Sequence, residues 1–193
     1  MELQGERLIP ASIDTTWVAL NDPEVLKACI AGCETLERTG DDAMTAVVAL
    51  KIGPVSARFK GNLKMTNVVP PTSYTINFDG QGGVAGFGKG SADVALSPEG
   101  TASTRLKYNA RAQVGGKMAQ VGSRLIDAAA GKITQDFFKA FEAHLQALVP
   151  AVEGAPAAAP VPVVPDSGTA GMTKLWWLIG AVVLLAIVYF MIR

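Results

Sequence analysis

Eighteen consecutive residues near the end of this chain, Leu175 to Ile192 (LWWLIGAVVLLAIVYFMI), carry no charge. At about 1.5 Å per residue, a helix of that length spans roughly 27 Å, close to the hydrocarbon thickness of a bilayer. Trp176 and Trp177 stand at one end, Tyr189 and Phe190 near the other, as interfacial aromatic belts require. Lys174 and Arg193 bracket the run, with stems long enough to reach the headgroups. Residues 173–193 are therefore expected to form a single transmembrane anchor. A buried core helix would be shorter, and a lipid-anchor processing signal presupposes a secretory leader. The opening residues, Met1–Arg7, are mixed in charge without an apolar stretch, so no signal peptide is expected. The expected placement is a single-pass protein of the inner (cytoplasmic) membrane, its soluble domain in the cytoplasm.

Residues 150–172 are mostly Ala, Pro, Val, Gly and Ser, with prolines at 150, 156, 160, 162 and 165. Such a stretch cannot bury a core and favours extended conformations. It reads as a flexible Pro/Ala-rich linker that could reach roughly 70 Å at about 3.1 Å per residue. Residues 1–149 remain, enough for one domain that stands without disulfides or metal. They carry equal numbers of acidic and basic residues and no basic run. That balance gives no electrostatic reason to expect nucleic acid, and no polybasic segment for anionic lipid.

Within the domain, apolar and polar residues alternate with period two. In Val55–Met65, residues Val55, Ala57, Phe59, Gly61, Leu63 and Met65 share one face. The pattern recurs at Met44–Leu50, Tyr74–Phe78, Ala92–Leu96 and Arg105–Val114, as half-buried antiparallel strands require. Turns are expected at Gly40-Asp41-Asp42, Gly53-Pro54, Pro70-Pro71 and Pro98-Glu99-Gly100. Ser12 is an N-cap candidate for a helix over Ile13–Leu20, and Asn21-Asp22-Pro23 for a second. Met118, Val121, Leu125, Ala129, Ile133, Phe137, Phe141, Leu145 and Leu148 recur every three or four residues, predicting one long helix of some 45 Å. The order is strand, two short helices, six strands, long helix. This is an α+β fold, with a curved antiparallel sheet around the long helix. Small residues on both partners (Gly122, Ala128–Gly131; Gly61, Ala92, Ala110) allow either tight packing or an apolar cavity.

Several stretches resemble the G-subunit family of carbon monoxide dehydrogenase: Gly115–Phe138 (GGKMAQVGSRLIDAAAGKITQDFF), Cys29–Leu36, Lys51–Val55 through Phe59–Gly61, and Gly82–Ser91. The resemblance covers residues 1 to about 149. Ala31 departs from it, standing where the family usually has proline at a turn. The resemblance implies a START-like (SRPBCC) helix-grip fold with a cavity between sheet and helix. It implies encoding beside a molybdenum hydroxylase, typically aerobic carbon monoxide dehydrogenase, and a link between that enzyme and the quinone pool.

Catalytic chemistry is sparse. Gly83–Lys89 follows most of a P-loop pattern, but Gly90 replaces the Ser or Thr that would hold magnesium, and a strand is expected next. These glycines read instead as a turn or hinge beside a cavity mouth, with Phe87 a candidate gate or lipid contact. His144 stands alone, and Cys29 and Cys33 read as buried free thiols. With no paired carboxylates or Ser-His arrangement, no enzyme and no metal are expected. The expected function is a membrane-tethered adaptor for electron transfer in carbon monoxide oxidation. It would recruit a molybdenum-containing carbon monoxide dehydrogenase or related hydroxylase and carry quinone, menaquinone or ubiquinone, as an exchangeable ligand between bilayer and enzyme. The alternative is a purely structural anchor for that enzyme. Expected cavity residues are Phe59, Leu63, Val84, Phe87, Tyr108, Met118, Val121, Leu125 and Ile126.

Overall fold

The computed structural model of the chain describes residues 1–148. The expected linker and anchor, with Lys174, Trp176, Trp177, Tyr189 and Arg193, lie outside them. No helix among the described residues is long and apolar enough to cross a membrane.

The elements follow in the expected order: β1 (Glu2–Ile9), α1 (Ile13–Leu20), α2 (Pro23–Cys29), β2 (Cys33–Gly40), β3 (Ala43–Ile52), β4 (Val55–Val69), β5 (Ser73–Gln81), β6 (Phe87–Pro98), β7 (Thr104–Gly115) and α3 (Ser123–Leu148). The seven strands form one antiparallel sheet in the order β1-β7-β6-β5-β4-β3-β2. Strands β2 to β7 meander, β1 closes onto β7, and α1–α2 carry the chain from one edge of the sheet to the other.

Local chemistry sets the short helices. Ser12 Oγ accepts the Thr15 amide at 3.3 Å, and Asp22 Oδ1 accepts that of Glu24 at 2.9 Å, with Pro23 in the first turn. Each oxygen satisfies an amide that the helix itself leaves without a partner.

Two elements differ from expectation. Strand β4 runs to Val69, past the alternation that ends at Met65. Its register slips between Thr66 and Val69, with Asn67 at φ 52°. A bulge exchanges the two faces of a strand, so the period-two pattern stops where the strand does not. The long helix begins at Ser123, not near Met118. Gly116–Val121 form a 3-10 turn, and Gly122, at φ 93°, separates it from α3. The apolar stripe from Met118 to Leu125 therefore spans two elements. The 26 described residues of α3 are about 39 Å long.

The two halves of α3 pack differently. Its C-terminal half places Phe138, Phe141 and Leu145 in a dense core with Ile9, Leu20, Val25, Leu96 and Leu106. Phe137 stacks on Phe141 at 5.7 Å between ring centroids, and Tyr108 leans on Phe138 at 5.4 Å. Buried Thr104 ties this end together, its Oγ1 donating to the Ala11 carbonyl at 2.8 Å. The N-terminal half contributes no fully buried side chain before Phe138. Beneath it, a second small cluster, Leu36, Met44 and Ala46, lines the sheet. One end of the domain is packed, and the other is hollow.

Candidate functional site

The hollow is a cavity of about 350 Å³ between the inner face of the sheet and α3. Its floor is built by alternate residues of β3 and β4: Ala46, Val48, Leu50 and Ile52, then Phe59, Gly61 and Leu63. Period-two geometry puts these on one face. Phe78, Gly80, Gly88 and Val114 extend the floor across β5, β6 and β7, while Ile30, Ala31, Met118 and Ile133 close the sides. Asn62 and Asp79 also border it, but they belong to the outer face and hydrogen-bond each other at 3.1 Å. The wall is thus almost wholly hydrocarbon, and no titratable side chain is aimed into it. A larger depression of about 800 Å³ lies among β1, β5, β6 and β7, but Gln4, Glu6, Asn67, Thr75, Asp93, Lys107 and Asn109 border it. It is an open depression on the outer face of the sheet, bordered by polar and charged side chains.

Of the residues expected at the cavity, Phe59, Leu63, Phe87 and Met118 line it. The others do not. Tyr108 belongs to the packed end, where its ring crosses Gly5, its partner on β1. Val84 sits at the tip of the β5–β6 connection and is 86% exposed. Leu125 is half exposed beside the Gly53 turn. Ile126 borders a separate shallow depression with Phe87, and Val121 stays on the 3-10 turn, outside the lining. Alternation gave the inward face correctly for Tyr108. What it lacks is position along the strand, which decides between packed and hollow ends. The same alternation in β3 carried the signal for Val48 and Leu50.

Glycines shape the mouth as expected. Gly83 and Gly86 have φ of 59° and 115°, and Gly86 meets the backbone of Gly115 and Gly116 so closely that no side chain fits between them. Two loops thereby touch backbone to backbone beside Phe87. Strand β6 follows directly, so the P-loop pattern has no helix on which to seat a phosphate. Aromatic rings cover the glycines. Phe59 lies 2.6 Å from where a Cβ on Gly82 would stand, and Phe87 lies across Gly115, its partner on β7.

The remaining candidates form no reactive cluster among the described residues, and no group of His, Cys, Asp or Glu there could hold a metal. Cys29 is buried at the end of α2, and burial pushes its thiol pKa up. Cys33 is only half-buried, contrary to expectation, because it begins edge strand β2; its Sγ donates to the Thr35 carbonyl at 3.4 Å. Burial raises its pKa also, against a lowering by Lys27. His144 is half-buried on α3.

A curved antiparallel sheet wrapped on a long helix, with an apolar hollow between them, is the START-like fold. Structural neighbours agree. A START superfamily protein from Mycobacterium smegmatis aligns with TM-score 0.58 at 18% identity, over 76% of this chain and 98% of its own. The ZhuI aromatase/cyclase from a Streptomyces species aligns with TM-score 0.58 at 11% identity, over 80% and 98%. A conserved protein from Geobacillus kaustophilus reaches TM-score 0.72 at 30% identity, over 76% and 96%. Among curated proteins, none matches this chain in sequence. The family model for the carbon monoxide dehydrogenase G-subunit (CoxG) matches residues 5–146, and the chain belongs to that family.

Proposed function

We propose that this protein is a membrane-tethered carrier that takes an apolar, exchangeable ligand into the hollow end of its domain and presents it to a molybdenum hydroxylase of the carbon monoxide dehydrogenase type. The observation that carries this reading is the cavity of about 350 Å³ walled almost entirely by hydrocarbon. That volume is at the small end of ligand sites, which run from about 300 to 1,000 Å³. It suits a flat ring with the first part of a prenyl chain, the remainder leaving through the mouth. A quinone, menaquinone or ubiquinone, has this form. Phe59, Phe78 and Phe87 offer rings to it, and the apolar wall supplies the transfer energy that draws it from water.

The domain needs no reactive group of its own for such a task. Electrons would pass between client and quinone, while the protein holds the ring and excludes water. The Pro-rich linker fits this reading, because a tether keeps the domain at high local concentration near both lipid and client. The anchor expected from Leu175–Ile192 would hold the protein at the inner membrane, with the domain in the cytoplasm. A purely structural anchor would leave the cavity without a use.

The test is reconstitution. Client dehydrogenase, membrane vesicles containing quinone and the full chain are mixed, and quinone reduction is followed with the client's own substrate. The carrier reading expects reduction to require this chain and to fail with a cavity-filling Val48→Phe variant that still recruits the client to vesicles. Undiminished reduction by that variant would leave only the anchor.

A further inference from the structure

The tip of the hollow end brings together residues that the sequence keeps far apart. Val84 on the β5–β6 connection, Phe87 at the start of β6 and Leu125 at the start of α3 are large apolar side chains exposed by 86%, 39% and 49%. Phe87 borders one depression with Ser123 and Ile126, the residue after Leu125, and the Gly86 backbone between Val84 and Phe87 touches Gly115 and Gly116. Phe87 lines the cavity itself, so this exposed patch is continuous with the apolar mouth.

Three exposed cations neighbour its elements in sequence. Lys51 lies beside the Gly53 turn, Lys117 follows Gly116, and Arg124 precedes Leu125. None of the three makes an ion pair among the described residues, a trait they share with Arg7, Lys27, Arg38, Lys60, Lys64, Lys89 and Lys139. The acidic residue nearest them in sequence is Asp127, one turn along α3 from Arg124. Although the chain's formal net charge is +0, the segments at this tip carry Lys51, Lys117 and Arg124, and Lys89 and Asp127 border its depression with Phe87.

An exposed apolar patch whose segments carry unpaired cations fits a bilayer interface: the side chains enter the acyl boundary and the cations meet anionic headgroups. We propose that this tip docks on the surface of an anionic bilayer, with the cavity mouth against the lipid. The inference deepens the carrier reading by naming where its ligand enters, and it rests on that reading.

Depth measurement tests the orientation. The full chain is reconstituted into phosphatidylcholine vesicles with and without phosphatidylglycerol. An environment-sensitive fluorophore is placed at Val84→Cys, or at Val18→Cys beside Leu148, in a Cys29→Ala, Cys33→Ala background. Lipid-borne nitroxide should quench position 84 at least about threefold more than position 18 when phosphatidylglycerol is present. Salt, or charge reversal of Lys51, Lys117 and Arg124 together, should cut the quenched fraction about tenfold. Equal quenching at both positions, or quenching at 18 alone, would overturn the docking. Hydrogen exchange of the unaltered chain gives a second readout: residues 82–88 should slow on anionic vesicles only, and unchanged exchange there would also overturn it. Flotation separates the two readings. A chain that does not float with neutral vesicles contradicts the tether, while added to anionic vesicles it must still show quenching at position 84.

Discussion

Phe78 stands opposite Gly90 across the β5–β6 ladder, its ring Cζ 2.8 Å from where a Cβ at residue 90 would be. Two residues earlier on the same face of β6, Gly88 has nothing within 4 Å of such a Cβ and borders the cavity. One glycine is filled by an aromatic ring and by the backbone of the neighbouring strand. The other opens on empty space. The boundary between a packed wall and a hollow passes between them.

The pair gives a differential prediction. Neither glycine has a positive φ, so alanine is acceptable to the backbone at both, and only the surroundings differ. Gly90→Ala must push Phe78 and strand β7 aside and should cost about 1–3 kcal/mol. Gly88→Ala should be neutral or stabilising by up to about 1 kcal/mol, through the reduced entropy of the unfolded chain. Thermal unfolding should place the Gly90 variant lower by about 2–4 °C for each kcal/mol.

The packed end depends on the Thr104 hydroxyl. Thr104→Val keeps the shape but removes the donor to the Ala11 carbonyl, which sits where β1 hands over to α1. The loss should be about 1–3 kcal/mol in urea unfolding, because a buried carbonyl loses a hydrogen bond. Thr16, whose hydroxyl reaches the same carbonyl at a longer 3.5 Å, would recover only part of it. Thr104→Ser should keep most of the stability.

Alkaline pH should weaken the fold. Burial holds the Tyr74 phenol well above its ordinary value of 10.0. In the unfolded chain the proton is lost at the ordinary value, and in the fold only at higher pH. The contribution is therefore fully present below about pH 10 and falls as pH rises from there towards the folded value. Cys29, raised by burial from 9.0, adds the same sign of slope from lower pH. Urea midpoints measured at increasing pH should drop in this window, and Tyr74→Phe should flatten the part that begins near pH 10.

Much of this organisation was legible in the sequence, and the gaps have physical causes. Alternation along Val55–Met65 identified Phe59 and Leu63 as inward, and both reach the cavity. Ser12 and Asp22 announced the short helices. Alternation also made Tyr108 inward, but whether an inward side chain meets solid core or hollow depends on which residue of β1 lies beside it. That residue is Gly5, which lets the ring fold over and pack. The break at Gly122 was hidden because the apolar stripe keeps helical spacing across it. The proposed cationic tip was hidden for the opposite reason: Lys51, Lys117 and Arg124 form no run in the sequence.

The central claim is that the hollow end carries an apolar ligand, and its most direct measurement is the extract of the purified protein. The full chain is isolated from its own membranes and washed with ligand-free detergent, and its organic extract is analysed by mass spectrometry. Two variants are treated alike. Val48→Phe fills the floor of the cavity, while Tyr108→Phe alters the packed end only. The prenylated quinone of the membrane should be found with the wild type and with Tyr108→Phe. It should fall at least about tenfold with Val48→Phe, since a side chain occupying the ring's place removes well over 1.4 kcal/mol of contact. Quinone in equal amounts in all three, or none in any, would contradict the account.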